Sequence, residues 1–310
     1  MWSASLFVIW RVAGPNSPVT NHEPLDEGAA DEKDTRQALL ANSKREFVPI
    51  RKTFVQTPRT VAADPNALAG PLSEFVRRRD LRALQSYLMI LAATSSGAGE
   101  HGWSTTHPIM VWARAFGTTR DAERTGAAGA VSKILHRLED RDLITRARSG
   151  RERRIRVTLR REDGSGEEYT RPMGNAVADR YLRLDHAYWT QGWCDELRLP
   201  GIAMLLVLLH EKPGARLPAE HMPKWYGWSA DTAERGLDEL AKHGLLVKGQ
   251  RVRKEPLSAA GYGRVNEYYL NPPFGPGDPL LWPPQPESPP VKTKKFESKK
   301  TIKTTKTPEK

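Results

Sequence analysis

Between Arg146 and Arg161 the chain places eight arginines, at 146, 148, 151, 153, 154, 156, 160 and 161, against a single acid, Glu152. A guanidinium stays charged at any physiological pH, and its planar fork of N–H groups fits phosphate oxygens two at a time. Narrow minor grooves of DNA also draw arginine in. A segment this basic repels itself unless an anion lies along it, whereas a solvated strand face usually mixes Lys, Glu and Thr. The chemistry on offer is recognition of a polyanion.

Bond-making chemistry finds little support. The sequence has no G-x-x-x-x-G-K-[ST] loop and no H-E-x-x-H helix, so neither an ATPase nor a zinc hydrolase is expected. His101 and His107 flank a loop without carboxylates at ligand spacing. Cys194 is the single cysteine; it sits in an aromatic stretch with Trp189 and Trp193, has no evident His partner, and reads as core filler. Tyr268-Tyr269 is a conceivable strand-cleaving pair, but it falls on an expected strand where aromatic packing is the simpler account. No enzyme, cofactor or metal is expected.

The elements that must carry the arginines follow from periodicity. Ile155, Val157 and Leu159 alternate with Arg154, Arg156, Thr158 and Arg160, which is the pattern of a half-buried strand. Ser149-Gly150 turns it back on a strand starting near Leu143. Three helices are expected before this hairpin. One runs from Arg82 to Thr94, a second opens at Pro108, and a third runs from about Gly126 to Asp140. In the third, Val131, Ile134, Leu135 and Leu138 form one apolar face. Opposite them stand Ser132, Lys133, His136 and Arg137, with Gly126, Gly129 and Ala130 leaving room for close approach to a groove.

The chain also repeats itself. Phe47, Val48, Ile50 and Phe54 match Tyr181, Leu182, Leu184 and Tyr188 in spacing, and Leu84–Leu91 matches Ile202–Leu209. Leu135, Leu138, Leu143 and Ile144 match Leu237, Leu240, Leu245 and Leu246. The first copy carries two additions, near Thr60–Ser73 and Gly97–Thr119.

Three helices followed by a hairpin, with Leu138-Glu139-Asp140-Arg141-Asp142-Leu143-Ile144 at the junction, resembles the winged helix-turn-helix DNA-binding proteins. In that family a Leu-Glu-x-x-Gly-Leu-Ile signature closes the recognition helix. Asp142 stands in the glycine place; Leu240-Ala241-Lys242-His243-Gly244-Leu245-Leu246 restores the glycine and loses the Glu. The resemblance implies a mainly α chain with small β-hairpins (α+β), built as two tandem winged-helix domains over 46–165 and 178–272. The two-unit plan is similar to that of plasmid replication initiators.

That resemblance makes Ser132, Lys133, His136 and Arg137 the expected helix contacts of the first unit, with Arg146, Arg148, Arg151, Arg153, Arg154 and Arg156 on its wing. The second unit differs. Its third helix shows Asp231, Glu234, Asp238 and Glu239 around Arg235, the counterpart of Lys133, while its hairpin offers Lys248, Arg251, Arg253 and Lys254. Unequal roles are therefore expected: the first unit reads double-stranded DNA, and the second touches it through its wing or packs on a protein partner or a second copy.

Length and charge frame this reading. The 310 residues carry a formal charge of +11, and the eight Lys of Val291–Lys310 against Glu297 and Glu309 supply a large part of it. Such a tail adds sequence-independent attraction to DNA. Residues 1–45 read as a disordered acidic leader, and 273–310 as a proline-rich linker and lysine-rich disordered tail. Leu6–Trp10 is too short to span a bilayer and lacks a basic start, so a membrane association is not expected and the location is read as cytoplasmic, on the nucleoid. The leading function is a sequence-specific DNA-binding transcriptional regulator. A replication initiator on origin repeats and a non-enzymatic interaction scaffold are the alternatives.

Overall fold

The computed structural model describes residues 28–60, 62, 64, 68–120, 124–150 and 154–276. Its first helix corrects the expectation of an unstructured leader. Asp31 and Asp34 exchange side-chain-to-backbone hydrogen bonds in a capping box that starts α1, Glu32–Ala41. Such a short helix is marginal alone, but α1 buries Leu39 and Leu40 and packs on three later helices. Arg36 is buried too: its Nε donates to the Ala115 carbonyl at 2.9 Å and its Nη1 reaches Asp195 at 2.7 Å. The fold of this segment depends on partners far along the chain, and local composition holds no trace of them.

The first unit continues with β1 (Phe47–Arg51), α2 (Leu72–Arg77) and α3 (Leu81–Ala93). Then come β2 (Ser104–Pro108), α4 (Ile109–Ala115), α5 (Arg124–Glu139), β3 (Ile144–Ser149) and β4 (Arg154–Leu159). The three expected helices are α3, α4 and α5. The hairpin, however, belongs to a three-stranded antiparallel sheet in the order β2-β4-β3. Ser104-Thr105-Thr106-His107 carries no apolar alternation because β2 is an edge strand, half-buried along its length. It ends at Pro108, which has no N–H for a ladder and turns the chain into α4.

Residues Ala127, Val131, Ile134, Leu135 and Leu138 of α5 are buried, as the periodicity requires. The helix closes with the Asp142 N–H on the Glu139 carbonyl and the Leu143 N–H on the Leu138 carbonyl. This closure needs a left-handed residue, and Asp142 supplies it at φ +55°. Gly244 repeats the arrangement at φ +71°, with the Leu245 N–H on the Leu240 carbonyl. The two places where the sequence resembled a helix-closing signature thus share one backbone geometry.

The second unit comprises β5 (Tyr181–Asp185), α6 (Ala187–Thr190), α7 (Trp193–Glu196) and α8 (Leu199–His210). It continues with α9 (Met222–Tyr226), α10 (Ala230–Lys242), β6 (Leu246–Lys254) and β7 (Tyr262–Leu270). A Cβ at Gly236 would lie 2.3 Å from the Pro200 carbonyl oxygen, so glycine there lets α10 lie close on α8.

The two units are not separate bodies. Their matching entry strands pair with each other, antiparallel, with Val48 opposite Leu184 and Ile50 opposite Leu182. Antiparallel pairing of two equivalent strands relates the copies by a local pseudo-twofold. One continuous apolar core runs from Leu39 to Phe274 through both. The connector is pinned by Arg51, whose Nη1 meets the fully buried Glu162 at 2.5 Å and whose Nη2 meets Asp179 at 3.1 Å. Overall the described chain is mixed α and β with small antiparallel sheets. Among the described residues no helix is long and apolar enough to cross a membrane.

Candidate nucleic-acid interface

On α5 the core residues turn the intervening positions outward, and the structure sorts them. Lys133 and His136 are exposed. Lys133 has no acidic partner among the described residues, and His136 lies 3.5 Å from Asp140. A Cβ at Gly129 would meet open space, so the face is smooth toward the start of the helix. Ser132 is half-buried and its hydroxyl donates to the Ala128 carbonyl of its own helix at 3.3 Å. Arg137 is held as well: its Nε and Nη2 clasp Asp80 at 2.9 and 3.1 Å.

Asp80 is a hub. It caps α3 through the Ala83 N–H and takes a second guanidinium, Arg141, at 2.9 Å. Arg141 also lies 4.6 Å over the Phe75 ring. Burial pushes the Asp80 carboxyl upward, but the Arg137 hydrogen bonds and the charges of Arg137 and Arg141 outweigh it and hold the group below the usual aspartate range. Of the four expected helix contacts, Lys133 and His136 face solvent as a reader would, while Ser132 and Arg137 serve the protein first.

The hairpin divides its arginines by strand alternation. Ile144, Arg146 and Arg148 share a face with Leu159, Val157 and Ile155, and that face looks toward α5. Arg146 leans on the helix, its Nη1 donating to the Ser132 carbonyl and its Nε meeting Glu139, both at 2.7 Å. It is a strut between helix and sheet. Arg148, one step nearer the tip, is exposed. Arg154 and Arg156 occupy the opposite face beside Thr106 and Ala147. Burial, then the charge of Arg154, lowers the His107 pKa on the neighbouring strand and favours the neutral ring. Arg151 and Arg153 lie outside the described residues. Arg161 turns back onto Asp163 and Glu167 at 2.8 and 2.7 Å.

Comparison of the chain with protein-family models, curated proteins and solved structures returns no match. Geometry and charge therefore carry the functional reading.

In the second unit Arg235 is exposed but pairs with Asp231 at 2.9 Å one turn away. Glu239, expected on the outer face of α10, is buried and accepts the Arg198 N–H at 2.9 Å. The outward acids are Asp231, Glu234 and Asp238. On the hairpin, Arg253 and Lys254 are exposed, and Arg251 is exposed with Glu267 at 3.8 Å. A further basic group escaped the pattern reading. Arg77, Arg78 and Arg79 line a cleft of about 720 Å³ together with Arg137 and Arg141. Arg77 and Arg78 pair with Glu74, whereas the exposed Arg79 has no acidic partner among the described residues and adopts φ +56°. Three consecutive arginines were visible in the sequence; that they abut the end of α5 was not.

The arrangement can grip phosphates, and Cys194 is not activated as a nucleophile. Burial pushes the Cys194 thiol up to about 12, and Arg36 Nη1 sits 3.3 Å from its sulfur. Among the described residues no three His, Cys, Asp or Glu side chains gather as metal ligands.

Proposed function

We propose that the chain binds double-stranded DNA as a tandem winged-helix protein, with α5 as the reading helix of the first unit and β3–β4 as its wing. The observation that carries the proposal is an exposed helix face bearing Lys133 and His136, followed at once by a hairpin that keeps Arg148 exposed while Arg146 braces it on that helix. A braced wing holds its charges at a fixed offset from the helix, which is what groove and phosphate recognition require. A sequence-specific transcriptional regulator is the first reading.

One observation favours a second reading, a replication initiator. The pseudo-twofold pairing of β1 with β5 holds two similar units in one chain, yet their outer helices differ in charge sign. A pseudosymmetric reader with unequal faces suits a non-palindromic site, and arrays of direct repeats are built of such sites. The second unit then contacts DNA by its hairpin or takes a protein partner or a second copy on its acidic α10.

Selection from a random duplex pool followed by sequencing tests both. An enriched inverted repeat supports the regulator and an enriched directional site the initiator. Absence of any salt-dependent duplex binding would leave only the interaction scaffold.

A further inference from the structure

The second hairpin is built differently from the first. Strands β6 and β7 run for nine residues each, against six for β3 and β4. Core contact ends early, at Leu246, Tyr268 and Leu270, and every residue of β6 from Gln250 to Lys254 is exposed. On β7 the partners Val265 and Asn266 stay half-buried, so only the last three ladder positions, Val252 to Lys254 with Tyr262 to Arg264, and the turn lie beyond the body, roughly 10 Å of ribbon at about 3.4 Å per residue. A lone two-stranded ribbon is marginal in water. This one nevertheless displays apolar side chains at its end: Val252 is 66% exposed, Tyr262 45% and Leu257, in the turn, 100%. Cations surround them. Val252 faces Arg264 across the ladder, Lys254 faces Tyr262, and Arg251 and Arg253 lie on the other side. The acid at the tip is the exposed Glu255; Glu267 lies at the base of the ribbon, opposite Gly249, and is engaged by Arg216 at 2.8 Å.

An apolar point ringed by exposed cations matches one kind of surface well, a stack of bases flanked by phosphates. The cations bind the two backbones, and the apolar group enters between base steps from the minor groove and kinks the duplex. We propose that Leu257 is such a wedge, so that the second unit acts on DNA by bending it through its arm. The inference rests on the DNA-binding reading above.

The test uses the full chain and the duplexes it retains from a random pool, labelled at both ends for energy transfer. Wild-type complexes are expected to shorten the end-to-end distance. Leu257→Ala is expected to straighten the bound duplex while weakening binding by less than ten-fold, with unchanged thermal stability because the side chain touches nothing. Leu257→Phe is expected to keep the bend, and Arg253→Ala to weaken binding while the remaining complexes stay bent. Straight wild-type complexes, or an undiminished bend with Leu257→Ala, would overturn the wedge and leave DNA binding standing. If the pool yields no retained duplex, the DNA reading itself falls. Loss of vesicle binding or of self-association in Leu257→Ala, with the bend intact, assigns the tip to a lipid or protein surface and likewise overturns the wedge.

Discussion

Removing the Asp80 carboxylate tests whether Arg137 belongs to the scaffold or to the interface. Three interactions converge on this group: the cap on the Ala83 N–H, the Arg137 fork and the Arg141 contact. The cap is worth about 1 kcal/mol. Arg137 is 39% exposed, so its fork is screened and contributes about 1 kcal/mol or less. Arg141 is only 10% exposed, and a charged hydrogen bond there contributes about 1.5–3 kcal/mol. Asp80→Ala should therefore destabilise the protein by about 3–4 kcal/mol. Asp80→Asn, which keeps an acceptor for the cap, should recover about 1 kcal/mol. The assay is urea denaturation followed by tryptophan fluorescence, run as a double-mutant cycle with Arg137→Ala. The cycle should show a coupling between 80 and 137 of about 0.5–1 kcal/mol. A loss under 1 kcal/mol for Asp80→Ala, or an Arg137→Ala variant of wild-type stability that loses as much DNA affinity as Lys133→Ala, would refute the assignment.

Three further outcomes are expected. Lys133→Ala and Arg148→Ala should each weaken duplex binding about ten-fold and lower the salt slope by close to one, in gel-shift titrations at several salt concentrations, whereas Arg235→Ala changes little because Asp231 already neutralises it. Stability should decline as the solution is acidified, first through the ordinary histidine range, because burial makes His107 harder to charge in the folded state, and then more steeply through the aspartate range, measured by thermal melts from neutral pH downward. The sign follows from Asp80 and Asp195: despite burial, their arginine partners hold both carboxyls below their usual values, so the folded state's advantage is present above the unfolded pKa and is lost as pH falls through the folded one. Cys194 should resist thiol reagents in the native protein at pH 8 and react once denatured, since burial both shields it and keeps it protonated.

Much of this molecule was legible in its sequence because the relevant forces are local. Apolar residues at helical spacing located α3, α5, α8 and α10, and strict alternation at Ile155, Val157 and Leu159 located β4, since burial on one face imposes the period of the element. The matching Leu-rich junctions marked two helix ends that the structure closes in the same way, and the left-handed backbone shared by Asp142 and Gly244 emerged only there. Other features had no local signal. The helix at Glu32–Ala41 holds its place through Arg36 on Asp195, 159 residues away. A helical wheel turned Arg137 and Glu239 toward solvent, but the fold brought Asp80 to one and the Arg198 backbone to the other. By itself the sequence determined the long helices and the first hairpin, their apolar faces, and that this hairpin is basic. Only the tertiary structure decided which charges remain outward, because an ion pair depends on groups that chain folding brings within about 4 Å and that spacing along the chain does not encode.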